Sequence, residues 1–257
     1  CMVLAPRAKQ VIVRDTLKKM VARYWALVRT PSLFLFIPAW ISISALAGIW
    51  LSSQLSFLLS MHRHDPNQVL IGSMSGQGGG IRLSLVLGFF VLFFGLCLLF
   101  WAFFMSRVPR LRLMLISVAG IYLACFALAG INHRGEGNNL VLVVWIPLLM
   151  LGVFAESSFA PAALAYLADV SERAARDRGL VMGLYSIFLG LGQSLGNGVG
   201  GIFAHHFGFD GLIYLTALLA FIALISLLWL FRREKRNERR PISPDIKMSE
   251  HIPTQRT

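Results

Sequence analysis

Apolar residues run along this chain in long continuous blocks rather than in strict alternation or in the single stripe of a surface helix. Blocks of about twenty residues or more fall at 33–59, 83–106, 111–131, 140–168, 180–204 and 211–231, each long enough as a helix to cross a hydrocarbon core of roughly 30 Å. Windows such as Leu83–Ser106 and Gly211–Phe231 hold no charged residue. The pattern predicts an all-α polytopic membrane protein of six transmembrane helices, and it excludes a β-barrel, whose strands would alternate. Pro38, Pro147, Pro161 and the glycines after Arg178 interrupt the blocks, as membrane helices tolerate when neighbours satisfy the freed backbone groups. The fourth block is long for one crossing, which predicts a tilt or a kink at Pro161.

Three regions follow from this pattern. Residues 1–31 form a basic linker, 32–231 the six-helix bundle and 232–257 a basic tail. Within the linker, Leu17, Met20, Val21, Tyr24, Trp25 and Val28 share one face of a helix spanning Arg14–Val28, with Arg14, Lys18, Lys19 and Arg23 around the other. Such a helix suits the inner leaflet, where anionic lipid attracts its basic face; packing on another cytoplasmic domain is the alternative. The tail is charged, then rich in Pro and Ser, and is expected to be disordered.

Composition strengthens the membrane reading: 56% of residues are hydrophobic and 14% charged, against about 25% charged in an ordinary soluble domain. The net charge of +12 would suggest nucleic acid if it were spread evenly. Instead the basic residues collect before block one (Arg7 to Arg29), after block two (Arg107, Arg110, Arg112), after block four (Arg173, Arg176, Arg178) and after block six, leaving only Arg63, Arg82 and Arg134 for the opposite side. The positive-inside rule then places both termini in the cytoplasm, and the charge reports membrane insertion rather than nucleic-acid binding. The expected location is the plasma membrane, or the inner membrane if the source is bacterial. Of the three cysteines, Cys97 and Cys125 lie inside apolar blocks, so no disulfide framework is expected, and no cleavable signal peptide is visible.

Few residues carry candidate chemistry. His62, His64 and Asp65 cluster in the first outer loop without a third spaced ligand, and the run Gly76–Gly80 lacks the Lys-Ser/Thr of a phosphate loop, so both read as loop and flexible linker. His205 and His206 are adjacent on a helix and point apart, a poor geometry for chelation. No metal and no cofactor is expected. Glu156 stands out as the carboxylate deep inside a block, roughly 24 Å along a helix counted from Leu140. Gly152, Ala160 and Ala163 extend its face as small residues, which suggests that it faces protein or a cavity rather than lipid. An intramembrane carboxylate is costly and favours holding a proton there, which suits a proton carrier; a hydrogen-bonded structural glutamate is the alternative. Gly192, Gly196 and Gly200 recur at intervals of four and predict close helix packing. Gln193 and Asn197 bring polar groups to mid-depth in this helix, Gln193 at about the depth of Glu156, either lining a pathway or bonding between helices.

The run Ala160-Pro161-Ala162-Ala163-Leu164-Ala165-Tyr166-Leu167-Ala168-Asp169, then Arg178-Gly179-Leu180-Val181-Met182-Gly183-Leu184-Tyr185, then Gly192 to Gly201, resembles the major facilitator superfamily of secondary transporters. It is similar to helices ten and eleven of that twelve-helix fold, where an acid closes helix ten and Arg-Gly opens helix eleven. The loop from Ser106 to Arg112 is similar to a degenerate second copy of the family's Asp-Arg-x-Gly-Arg loop, with Ser106 in place of the acid and Pro109 in place of the glycine. The resemblance implies that this chain is the C-terminal six-helix half of the fold, with Lys9–Arg29 as the linker between halves; the first six helices are the alternative assignment. It implies a missing N-terminal six-helix bundle as partner, and a cytoplasmic latch made by Arg107, Arg110, Asp169 and Arg178.

On this reading the chain moves a small organic solute by alternating access, coupled to protons through Glu156 with Gln193 and Asn197 contacting solute. Drug efflux is the direction that analogy suggests. The competing reading is a self-contained six-helix carrier or channel that assembles with copies of itself. A membrane enzyme would need a nucleophile–base pair, a metal set or paired carboxylates, and Glu156 has no such companion in its span.

Overall fold

The apolar blocks fold as helices because a chain without water to hydrogen-bond must satisfy its backbone internally. A computed structural model describes residues 25, 28–61, 67–75, 79–134, 139–173 and 178–238. Its long helices are α1 (Pro31–Trp50), α2 (Ser53–Ser60), α3 (Gly79–Phe104), α4 (Arg110–Asn132), α5 (Leu142–Glu156), α6 (Phe159–Arg173) and α7 (Arg178–Glu238). No strand occurs among the described residues. Pro31 opens α1 at a position where its missing N–H costs nothing. Val108 is extended, as a residue before proline prefers, and this ends the short 3₁₀ turn Met105–Arg107 that follows α3.

Two expectations change in detail. The first block is two helices: α1 stops at Leu51 and Ser52, whose hydroxyl donates to the Ile49 carbonyl at 2.8 Å, before α2 resumes. The basic stretch after Phe231 is not disordered throughout, since α7 continues as helix to Glu238. Of the glycine run read as flexible linker, Gly79 and Gly80 instead form the first turn of α3, and Gly79 is buried where a Cβ would collide with the Met74 carbonyl. The amphipathic segment Arg14–Val28 lies almost wholly outside the described residues, as do His62, His64, Asp65 and the tail beyond 238.

Helix α7 is far longer than one bilayer crossing, and Gly208 divides it into arms 178–207 and 209–238. Its φ of 63° with ψ of −139° is open only to glycine without strain. A Cβ on Gly211 would meet the carbonyl of Phe203, eight residues back, so the chain reverses at this point. The arms accordingly run in opposite senses along α1. The Trp40 ring lies 4.8 Å from that of Tyr185 and Gly196 lies on Ala45, a parallel pairing. Trp50 Nε1 donates to Thr216 Oγ1 at 3.0 Å and Ser226 Oγ donates to the Leu35 carbonyl, an antiparallel one. Among the described residues, α1–α2, α3, α4, α5–α6 and α7 are the five apolar stretches long enough to cross a membrane, and α7 is folded into two arms.

The core gathers around α1, α4 and α7, with Phe36, Ile49, Met114, Ile121, Leu212 and Leu227 fully enclosed. Helix α3 is different. Only Gly79 and Cys97 of its 26 residues are buried, and Leu85, Phe89, Leu92, Leu96 and Phe103 are open.

Candidate functional site

Helices α5 and α6 are one crossing broken at Ser157 and Ser158. The break lies four residues ahead of Pro161, where a missing N–H and the ring's clash with the carbonyl of residue 157 would place it. Side chains brace the backbone around the break. Trp101 Nε1 donates to the Phe154 carbonyl at 2.7 Å, as does Ser157 Oγ at 2.7 Å. Ser158 Oγ reaches the Ala155 carbonyl at 2.7 Å and the Leu113 carbonyl at 3.2 Å. Ser117 Oγ of α4 donates to the Glu156 carbonyl at 2.9 Å.

Glu156 is therefore the last residue of α5, at the kink and partly buried. Its backbone is held by close approach of α4: a Cβ on Gly120 would collide with Ala155, the Gly152 carbonyl and the Glu156 nitrogen. Gly152 returns the contact against Gly120 and Ala124. The small-residue face thus packs on α4, with the carboxylate at the one point where the crossing bends.

Gln193 and Asn197 lie elsewhere. Both are exposed on the first arm of α7, near its middle, and with Ala47, Gly48, Leu51, Ser52 and Ser194 they line an open groove of about 300 Å³. The groove exists because the helices touch: a Cβ on Gly48 would collide with the Gln193 backbone, one on Gly192 with Ser44 and Ile41, and one on Gly196 with the Ala45 backbone. Gly200 is buried on the same arm. Glu156 is not among the groove's lining residues, so the structure separates the carboxylate from the two amides. Ser52, Ser194 and Gly48 belong to the groove without having stood out in the sequence, where a lone serine or glycine in an apolar block carries no signal. The break in α1 at Leu51 and Ser52 opens directly onto it.

At one end of the bundle, Arg110 opens α4 and pairs with the Asp169 carboxylate of α6, while its Nη1 donates to the Ala165 carbonyl at 2.8 Å. Arg107 stands apart, its guanidinium 5.3 Å from the Phe104 ring. Arg178 begins α7 at this end. Two of the four residues assigned to the latch are thus joined.

The opposite end carries a polar knot that the sequence did not reveal. Asp210 accepts from Asn132 Nδ2 at 2.8 Å and pairs with His133 Nε2 at 3.0 Å. Gln68 Oε1 accepts from the Phe209 nitrogen at 2.8 Å, and its Nε2 donates to the Phe207 carbonyl at 3.1 Å, so one amide clasps both sides of the turn at Gly208. Asn132 is fully buried and its side-chain oxygen accepts from the Leu70 nitrogen at 3.2 Å. His205 and His206 lie nearby, both exposed. Among the described residues no three His, Cys, Asp or Glu side chains gather as a metal would require.

Among the described residues, five helical stretches long and apolar enough to cross a membrane, the last folded back at Gly208, define an integral membrane protein of the polytopic helical class. The family model described as Major Facilitator Superfamily matches residues 34–250, and the chain belongs to that family of membrane transporters. No curated protein and no solved structure matches it.

Proposed function

We propose that this chain is the C-terminal six-helix half of a secondary active transporter that moves a small organic solute by alternating access, coupled to protons and directed toward drug efflux. The family match over 34–250 is the observation that carries the transporter reading. The assignment to the second half rests on the Asp169 and Arg178-Gly179 pattern and on the basic segment ahead of the first crossing. Both termini lie in the cytoplasm of a plasma membrane, or of an inner membrane if the source is bacterial, because basic residues crowd the Arg110 end.

Each site takes a role in this reading. Glu156 carries the proton: a carboxylate within a crossing is costly unless used, and its place at a bend lets protonation change the helix that holds it. Gln193 and Asn197, with Ser52 and Ser194, contact solute in the groove, where broken helices offer backbone as well as side chains. The Arg110–Asp169 pair latches the cytoplasmic end in one state and parts in the other, and Arg107 and Arg178 are assigned to the same latch. Gly192, Gly196 and Gly200 keep α1 and α7 close enough to move as one body.

The test uses the full-length protein in proteoliposomes with rhodamine 6G as solute and an imposed pH gradient. Glu156→Gln abolishes gradient-driven flux while leaving solute exchange partly intact. Gradient-driven flux that persists in the variant removes Glu156 from coupling, and no flux in the unsubstituted protein rejects amphiphile efflux.

A further inference from the structure

The second arm of α7 carries an exposed stripe that changes character at its end. Leu218, Phe221 and Ile225 recur at helical spacing and stand open, while Ala220, Ala223, Leu227 and Leu230 on the opposite face are fully enclosed. Tyr214 and Trp229 bracket the stripe, 61% and 63% exposed, as aromatic rings do at the two boundaries of a bilayer. An apolar stripe closed by such rings faces lipid. The backbone stays helical without a break from Gly208 to Glu238, so the stripe continues in register beyond Trp229. Its next members are Arg232 and Arg236, with Lys235 on the flank, and all three are exposed.

Two general causes of terminal basic residues leave this placement unexplained. Topology needs positive charge near the end of a crossing, but on no particular face. The helix dipole favours cations in the last turn, which covers Lys235 and Arg236 but neither Arg232 nor the register with Trp229. Nor do neighbouring acids account for it. Glu234, the one carboxylate between Arg232 and Arg236, is half-buried on the face of Leu227 and Leu230, turned toward the bundle. Among the described residues, the ion pairs are Arg110–Asp169 and His133–Asp210, and neither takes in these three cations.

We infer that Arg232 and Arg236 clamp the phosphate of an anionic phospholipid whose acyl chains lie along Phe221, Ile225 and Trp229. Residues four apart sit one above the other on a helix, so the two guanidinium groups can converge on one phosphate, each offering a planar fork of donors. Depth agrees. Arg232 rises roughly 4.5 Å past Trp229, within a head-group layer of about 5–7 Å. Arg236 stands roughly 6 Å higher, and helical side chains lean toward the N-terminus, which here is back toward the membrane. Lys235 and the half-buried Arg233 add positive field, completing four basic residues directly beyond a crossing, a pattern that selects anionic head groups. A zwitterionic lipid brings its own ammonium and gains less. The inference needs only that the chain spans a bilayer; the orientation proposed above places the clamp at the inner leaflet.

The test titrates the delipidated full-length protein in detergent with phosphatidylglycerol or phosphatidylcholine of identical chains and counts bound lipid by native mass spectrometry. The unsubstituted protein takes its first phosphatidylglycerol more tightly than phosphatidylcholine. Arg232→Gln with Arg236→Gln weakens phosphatidylglycerol by roughly 25-fold, about fivefold for each charge, and leaves phosphatidylcholine unchanged. Arg82→Gln with Arg134→Gln removes the same charge at the opposite end and keeps the preference. No preference in the unsubstituted protein, a preference that survives the first double variant, or an equal loss in the second overturns the inference. Should the first double variant fail to insert, quenching of Trp229, read as the difference between the unsubstituted protein and Trp229→Phe, decides the matter. In phosphatidylcholine bilayers, phosphatidylglycerol brominated near its head group quenches Trp229 more than equally brominated phosphatidylcholine at the same mole fraction, and equal quenching overturns the clamp. No solute or gradient enters these measurements, so failure here leaves the transport test standing, and failed transport leaves this result intact.

Discussion

Glycine positions separate into two kinds once their neighbours are known. A methyl group on Gly196 would strike the Ala45 backbone, which cannot step aside without moving a helix, whereas one on Gly198 meets nothing within 4 Å. Gly196→Ala should therefore lower stability by about 1–3 kcal/mol, and Gly198→Ala by less than about 0.5 kcal/mol, in SDS-induced unfolding monitored by circular dichroism. Equal effects at the two positions would mean that α1 and α7 do not meet there. The polar knot makes a second residue-scale prediction. Asp210→Ala strips the acceptor from the buried Asn132 amide and should cost about 1–3 kcal/mol in the same assay. The Glu156 and glycine positions were legible in the sequence because a carboxylate in an apolar run and a four-residue glycine repeat are rare patterns. Asp210, His133 and Gln68 were not, since polar residues bordering a crossing look alike until the turn at Gly208 gathers them.

At the scale of elements, the long apolar helices were visible in the hydropathy of the chain, and the breaks within them were less so. The kink attributed to Pro161 has its opening at Ser157 and Ser158, because proline withholds a donor from a carbonyl one turn behind itself. What holds it open, Trp101 and Ser117 from α3 and α4, is tertiary and has no local sequence signature. The break at Leu51 and Ser52 has no proline at all, and no local signal marks it. A straightened α5–α6 tests the first of these causes. Pro161→Ala restores the donor, so spin labels at Ile146 and Leu164, eighteen positions apart, should separate toward the roughly 27 Å of a continuous helix. A distance unchanged by the substitution would show that the serine and tryptophan braces, rather than proline, set the bend.

The whole molecule presents an imbalance. Helices α1, α4 and the second arm of α7 enclose a packed core, while α3 keeps all but two of its residues out of it and the groove beside Gln193 stands open on one side. Lipid alone could cover an apolar helix, but not a groove lined by Ser52, Gln193, Ser194 and Asn197. On the proposed reading a complementary bundle would cover both surfaces, as rocking between two access states requires. In the sequence this proposal rests only on the resemblance of its motifs to helices ten and eleven, since composition and span count fit a self-assembling carrier equally well. The most direct measurement is therefore mass spectrometry of the native protein, purified from its own membrane in mild detergent through an affinity tag on the basic tail. The account predicts a second set of six apolar crossings in the assembly, in the same polypeptide or in a different one bound to it. An assembly made only of copies of this chain would contradict it, and the self-contained carrier or channel would take its place.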